Sequence, residues 1–159
     1  MNKKKANIKI CISCSAGGHF SEALKATEHI QYNKYYLTYR TSSIERFSQN
    51  NRVYFVTHPR HGAFVIRLFL FVKNCIESLL ILLKEKPDLI ISTGADVAVA
   101  TCILGKLMGV KLIYIESGGY VTSKSVSGCL VYPFADLFLV QWKPALKNFP
   151  KAKFGGPLF

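Results

Sequence analysis

Short runs rich in β-branched residues recur along the chain, separated by glycine-containing turns and by segments with helical spacing; this alternation limits the fold more than any other feature. Parallel strands need a crossover connection, and a helix is the usual way to make one, so strand-helix-strand repetition reads as a parallel sheet covered by helices. The runs predict strands at 8–13, 35–41, 53–57, 88–92, 111–116 and 137–141, and helices at 19–31, 63–86, 96–108 and 125–134. Pro87 is placed to stop the second of these helices and Gly109 to close the third. With 159 residues there is room for a single core. The expectation is one α/β domain spanning 1–159, a Rossmann-like parallel sheet with helices on both faces.

Composition narrows the function classes. Half of the residues are hydrophobic and 19% are charged, which excludes a disordered or collagen-like chain. Lys+Arg 21 against Asp+Glu 9 gives a formal charge of +12, so an anionic partner is expected: nucleic acid, acidic headgroups or a phosphorylated substrate. The aromatic residues are not interleaved with Lys and Arg as a nucleic-acid platform requires, and Lys3-Lys4-Lys5 reads as a solvated tail. The five cysteines are an odd number and most sit in apolar runs, which fits a reducing cytosol. Cys11 and Cys14 have the C-x-x-C spacing, but they lie in a strand-like run, and no second Cys or His pair follows at zinc spacing. His29, His58 and His61 are likewise scattered without ligand spacing. No metal or cofactor is expected, and residues 1–12 hold no apolar stretch of signal-peptide length.

Residues 63–83 are mostly Phe, Leu, Ile and Val, interrupted by Arg67, Lys73, Asn74 and Glu77. At about 100° per residue these interruptions, with Ser78, Lys84 and Glu85, gather on one arc and leave a wide apolar face. A charged stripe argues against a spanning helix. Two readings remain: a core helix lying on the sheet, or a helix that also dips into a membrane interface, as basic amphipathic helices do. The cluster Arg60, His61, Arg67 and Lys73, with Phe64, Phe69 and Phe71 on the apolar side, favours the second.

Three turns carry the candidate chemistry. Ser15-Ala16-Gly17-Gly18-His19 follows the first strand and opens a helix, where free N–H groups and the positive end of the dipole suit a phosphate. Ser92-Thr93-Gly94-Ala95-Asp96 follows the fourth strand, and Glu116-Ser117-Gly118-Gly119 the fifth. In an open parallel sheet ligands bind beyond the carboxyl ends of the strands, so the three turns describe one cleft. The first is not G-x-G-x-x-G, which disfavours a dinucleotide site; it also reads as a tight turn capped by His19. Asp96 reads as a helix cap, whereas Glu116 leaves the sheet where a base or hydroxyl-binding carboxylate would stand.

The three loops resemble the bacterial PssD/CpsF-type polysaccharide biosynthesis proteins, above all in the runs Tyr114-Ile115-Glu116-Ser117, Ala135-Asp136-Leu137-Phe138-Leu139-Val140-Gln141-Trp142 and Gly155-Gly156-Pro157-Leu158. That family is similar to the membrane-anchoring subunit of the eukaryotic enzyme that adds the second N-acetylglucosamine to dolichyl diphosphate, and the Gly-Gly-His turn is shared with MurG. The resemblance implies the N-terminal half of a split GT-B glycosyltransferase at the cytoplasmic face of the membrane, working with a small PssE/CpsG-like partner that binds the UDP-sugar. It implies that Ser15, Gly17, Gly18, Thr93, Gly94 and Ser117 meet a lipid-diphosphate-linked acceptor, and that His19 or Glu116 serves as base. It further implies that Gln141, Trp142, Gly156 and Pro157 face the partner. Where the family often has Glu-Ser-x-x-Arg-Val, this chain has Tyr120 in place of the Arg, and a proline common after the second glycine loop is replaced near Ala100. A non-catalytic recruiter and a stand-alone enzyme acting on a soluble phosphorylated metabolite are the rival readings.

Overall fold

The structure, a computed structural model, describes residues 8–59 and 63–159; Arg60 and His61 of the basic cluster, and Lys3-Lys4-Lys5, lie outside the described residues. Seven strands form one sheet: β1 (Lys9–Cys14), β2 (Asn33–Thr38), β3 (Val53–Phe55), β4 (Leu89–Gly94), β5 (Lys111–Ile115), β6 (Leu137–Val140) and β7 (Lys153–Phe154). Their spatial order is β3-β2-β1-β4-β5-β6-β7 and every neighbouring pair is parallel. The chain leaves β1 in one direction, to β2 and β3, and returns through β4 to build the other half. The junction of β1 and β4 is therefore the topological switch point, where the following helices leave to opposite faces of the sheet and a crevice forms.

Helices α1 (Gly18–Ala26), α2 (Ser42–Ser48), α3 (Phe64–Glu85), α4 (Asp96–Leu107) and α5 (Val126–Val131) make the connections. Alternate residues of the strands feed two cores. Ile10, Ile12 and Cys14 point with Tyr36 and Ile91 toward Phe20 and Ala23 of α1 and Ile44 of α2. Cys11, Tyr35, Ile90 and Leu112 pack on the other face with Leu82 of α3, Val97 and Cys102 of α4 and Val131 of α5. The Ala-Asp preceding β6 has a local reason: Asp136 accepts from the Leu112 backbone N–H at 2.9 Å and pairs with Lys106 at 2.7 Å, which seats β6 beside β5 and against α4. Those partners, Lys106 first, hold its carboxyl at about 2.

Two elements fall outside the sequence expectation. Helix α2 is two turns long and mostly polar; its start is marked by Thr41, whose hydroxyl accepts from the Ile44 N–H. Strand β7 has two residues, too few for any period to register. The first helix is shorter than 19–31, because the Thr27 hydroxyl bonds back to the Ala23 carbonyl and the chain turns. After α5, Pro133 leads into a 3₁₀ turn, Tyr132–Phe134.

The long helix α3 is turned the opposite way from a core helix. Its buried residues are Asn74, Ser78, Leu82 and Glu85, three of the four polar, while Phe64, Phe69 and Leu80 are 79%, 69% and 61% exposed. The inward polar groups are satisfied, as burial demands. The Asn74 amide donates to the carbonyls of Thr57 and Val97, Thr101 donates to Ser78, and Glu85 accepts from Arg52 and Tyr54 and pairs with Lys9. The apolar stripe that would line a core instead faces outward. Among the described residues no helix is long and apolar enough to cross a membrane.

Candidate functional site

The site is built at the switch point, where α1 follows β1 and α4 follows β4. Gly17 stands before α1 at φ 80 and ψ -136, a conformation closed to residues with a side chain. Gly94, at φ 98, has the same need, and a Cβ there would collide with the Tyr114 hydroxyl. Ala95 caps α4 at φ 74 and ψ 161, a region almost confined to glycine, so the second loop holds backbone strain beside the crevice. Neither N-cap residue supplies a side-chain hydrogen bond, although Asp96, the first residue of α4, accepts from the Val97 N–H at 3.0 Å.

His19 joins the two loops. Its Nδ1 lies 2.8 Å from the Thr93 carbonyl, and the Thr93 hydroxyl donates to the His19 carbonyl at 2.7 Å. A carbonyl only accepts, so Nδ1 carries the proton, and in the neutral ring the lone pair is on Nε2. Glu22, one turn along α1, places Oε2 3.7 Å from Nδ1. Its Oε1 accepts from the Gly118 N–H at 2.7 Å, from Gln141 at 3.0 Å and from the Ser117 hydroxyl at 3.3 Å. One buried carboxylate thus connects the histidine of the first loop to Ser117 and Gly118 of the third.

Two cavities meet at His19. The larger, about 550 Å3, runs between α3, the start of α4 and α5, with Arg67, Asp96, Ser125 and Ser127 among largely apolar walls. The smaller, about 350 Å3, is formed by Gly18, Ser21, Glu22, Ser117, Gly119 and Phe159.

Residues 10–158 match the family described as "Oligosaccharide biosynthesis protein Alg14 like". The chain belongs to the Alg14-like family. It is similar to the UDP-N-acetylglucosamine transferase subunit ALG14 of Debaryomyces hansenii, 28% identical over 175 residues that cover 94% of this chain and 75% of the relative. The subunit of the same name from Candida albicans is 26% identical and covers 99% of this chain and 83% of its own. Among solved structures, MurG of Acinetobacter baumannii superimposes with a TM-score of 0.69 at 18% identity, over 84% of this chain and 41% of that one. The UDP-N-acetylglucosamine 2-epimerase of Rickettsia bellii superimposes with a TM-score of 0.74 at 10% identity, over 95% of this chain and 45% of that one. These two likenesses establish the fold, and this chain spans less than half of each structure.

Within this Alg14-like site the structure gathers Ser15, Gly17, Gly18, His19, Thr93, Gly94 and Ser117 at the ends of β1, β4 and β5. Glu116 is different. It is 1% exposed, its carboxylate is turned against Gly128 of α5, and neither oxygen has a hydrogen-bond partner among the described residues. Burial pushes its carboxyl above the usual range. Gln141 is also inside, donating to Glu22 and to the Glu116 carbonyl and accepting from the Leu158 N–H. Trp142 is partly exposed and donates to the Gly118 carbonyl at 2.7 Å, while Gly156 and Pro157 follow β7 near the surface. Of the apolar and basic residues on α3, Phe64, Arg67 and Phe71 line the larger cavity, and Phe69 and Lys73 lie on its exposed side. The C-x-x-C pair is buried; burial pushes the Cys14 thiol up to about 12 and raises Cys11 as well, so both behave as core residues. Glu22 was missed from sequence, although its spacing of three from His19 on one helix was the available signal.

Proposed function

We propose that this chain is the acceptor-binding, membrane-associating subunit of a two-component inverting glycosyltransferase. It acts in capsular or exopolysaccharide synthesis of the PssD/CpsF type, at the cytoplasmic face of the cell membrane. The observation that carries the reading is His19 at the switch point, its tautomer set by Thr93 and its ring shared by two cavities. The names of the curated relatives support UDP-N-acetylglucosamine as the donor. A small PssE/CpsG-like subunit binds that donor across the crevice, contacting Trp142, Gly156 and Pro157.

In the reaction, Nε2 of His19 accepts the proton of an acceptor-sugar hydroxyl as its oxygen attacks the anomeric carbon. The bond from that carbon to the diphosphate breaks, and UDP leaves with the electron pair. The imidazolium so formed faces the Glu22 carboxylate, which favours it electrostatically. The acceptor diphosphate lies against the start of α1, which has no side-chain cap, where Gly17, Gly18 and Gly94 allow close approach. Glu116 is buried away from the crevice, and His19 is the base. The outward apolar face of α3, with Arg67 and Lys73, seats the subunit on an anionic bilayer.

Reconstitution tests this reading. Neither the chain nor its partner alone should transfer N-acetylglucosamine to lipid-diphosphate acceptors, whereas the pair should, with inversion at the anomeric carbon. Tight binding of UDP-N-acetylglucosamine by the purified chain in calorimetry, together with turnover of a soluble phosphorylated metabolite, would replace it with a stand-alone enzyme.

A further inference from the structure

We infer that the larger cavity beside His19 is the seat of the first isoprenoid units of the acceptor's lipid, so that the chain holds the hydrocarbon next to the diphosphate and does not leave it wholly in the bilayer. The inference rests on the proposal that the chain takes a lipid-diphosphate acceptor. Four observations point to a hydrocarbon bearing an anionic head. The walls are apolar: Phe64, Leu68 and Phe71 come from α3, Val126 and Leu130 from α5, and Val99 from α4. Part of the lining belongs to the loops at the switch point, since His19, Ala95 and Asp96 contribute to it. Arg67 lies on the α3 wall of a chain with formal charge +12, which complements a diphosphate; Asp96 is the opposing charge there, and its carboxylate accepts from the Val97 N–H at 3.0 Å. The α3 wall is continuous with the outward apolar face of that helix, so a longer chain passes from the cavity to the membrane without crossing a polar surface. At about 550 Å3 the cavity is within the usual range for a small-molecule ligand, about 300–1,000 Å3, and is suited to a few isoprene units.

The two cavities then have separate tasks on either side of one histidine. The hydrocarbon lies toward α3 and α5, the diphosphate at the start of α1, and the sugar toward Ser117 and Gly119. The direction in which the acceptor lies across the crevice follows from this division.

Calorimetric titration of the full chain with inorganic pyrophosphate, farnesyl diphosphate and farnesol tests the assignment. Farnesyl diphosphate is expected to bind at least about tenfold more tightly than pyrophosphate, because apolar burial adds to the same head contacts. Leu130→Asp, at a half-exposed position that tolerates a charge in folding, should remove that difference and leave pyrophosphate binding unchanged. Leu80→Asp, on the outer face of α3 and outside the cavity, should keep the difference. A tail that adds no affinity, or whose contribution survives Leu130→Asp, or is lost equally in Leu80→Asp, overturns the inference. Pyrophosphate binding without a tail effect overturns the cavity and spares the diphosphate reading. Farnesol binding that depends on Leu130, with no pyrophosphate binding, does the reverse.

Discussion

At the scale of single residues, strain and burial mark the loops at the switch point. Ala95 occupies a conformation that costs about 1–3 kcal/mol for a residue with a Cβ. Ala95→Gly is therefore expected to raise the free energy of unfolding by about 1 kcal/mol in urea titration, after the greater freedom of glycine in the unfolded chain is counted. Glu116 also costs stability, through charge and not backbone strain. Its folded carboxyl is raised above the unfolded value, so between those two values the folded state binds more protons, and stability falls as pH rises through that window. Glu116→Gln removes the ionisable group, so its melting temperature should exceed that of the parent at neutral pH, and the gain should shrink as pH drops below the ordinary carboxylate range. A gain independent of pH would show that charge is not the cause. His19 and the glycines could be picked out in the sequence because strand-to-helix turns declare themselves through Gly and polar residues. The bonds that Glu22 makes to the third loop and the inward turn of Glu116 could not, since each depends on elements far apart in the chain: Gly118 and Gln141 for one, Gly128 for the other.

At the scale of elements, the legible parts were those with a strong period. The strands that fill the sheet centre, the stop at Pro87 and the turn at Gly109, which has φ 85, all fall where their residues predict. Helix α2 and strand β7 are too short and too polar or exposed to leave such a trace. The arc of polar residues on α3 was equally plain, yet periodicity gives only the angle between two faces and not which one meets the sheet. The neighbours decide it: Thr57, Thr101, Arg52 and Tyr54 present polar partners, so the polar arc goes inward. The outward apolar arc predicts binding to bilayers. Flotation with vesicles containing acidic lipid should recover the chain, and the double variant Phe69→Ser and Leu80→Ser should lower its partitioning by at least about tenfold through lost apolar burial. Replacing Arg67 and Lys73 with Gln should weaken binding mainly at low salt, as expected of headgroup attraction. Unchanged flotation in the first variant would place the membrane contact elsewhere.

At the scale of the whole molecule, the sheet order puts the switch point between β1 and β4, the three loops converge there, and the apolar face of α3 opens toward the same crevice. Fold and crevice could be read from alternation and Gly turns alone. The division of the crevice into two cavities could not, because the α3 wall of the larger one exists only once the helix has been turned polar side inward. The most direct measurement is the single-turnover rate of the reconstituted pair, compared between the parent chain and its His19→Ala variant. The substitution should slow transfer by about 10²–10⁴-fold while acceptor affinity stays within a few-fold of the parent, since general-base catalysis is lost but the loops remain. A rate equal to that of the parent would mean that the partner carries the whole reaction and that this chain serves only to recruit it.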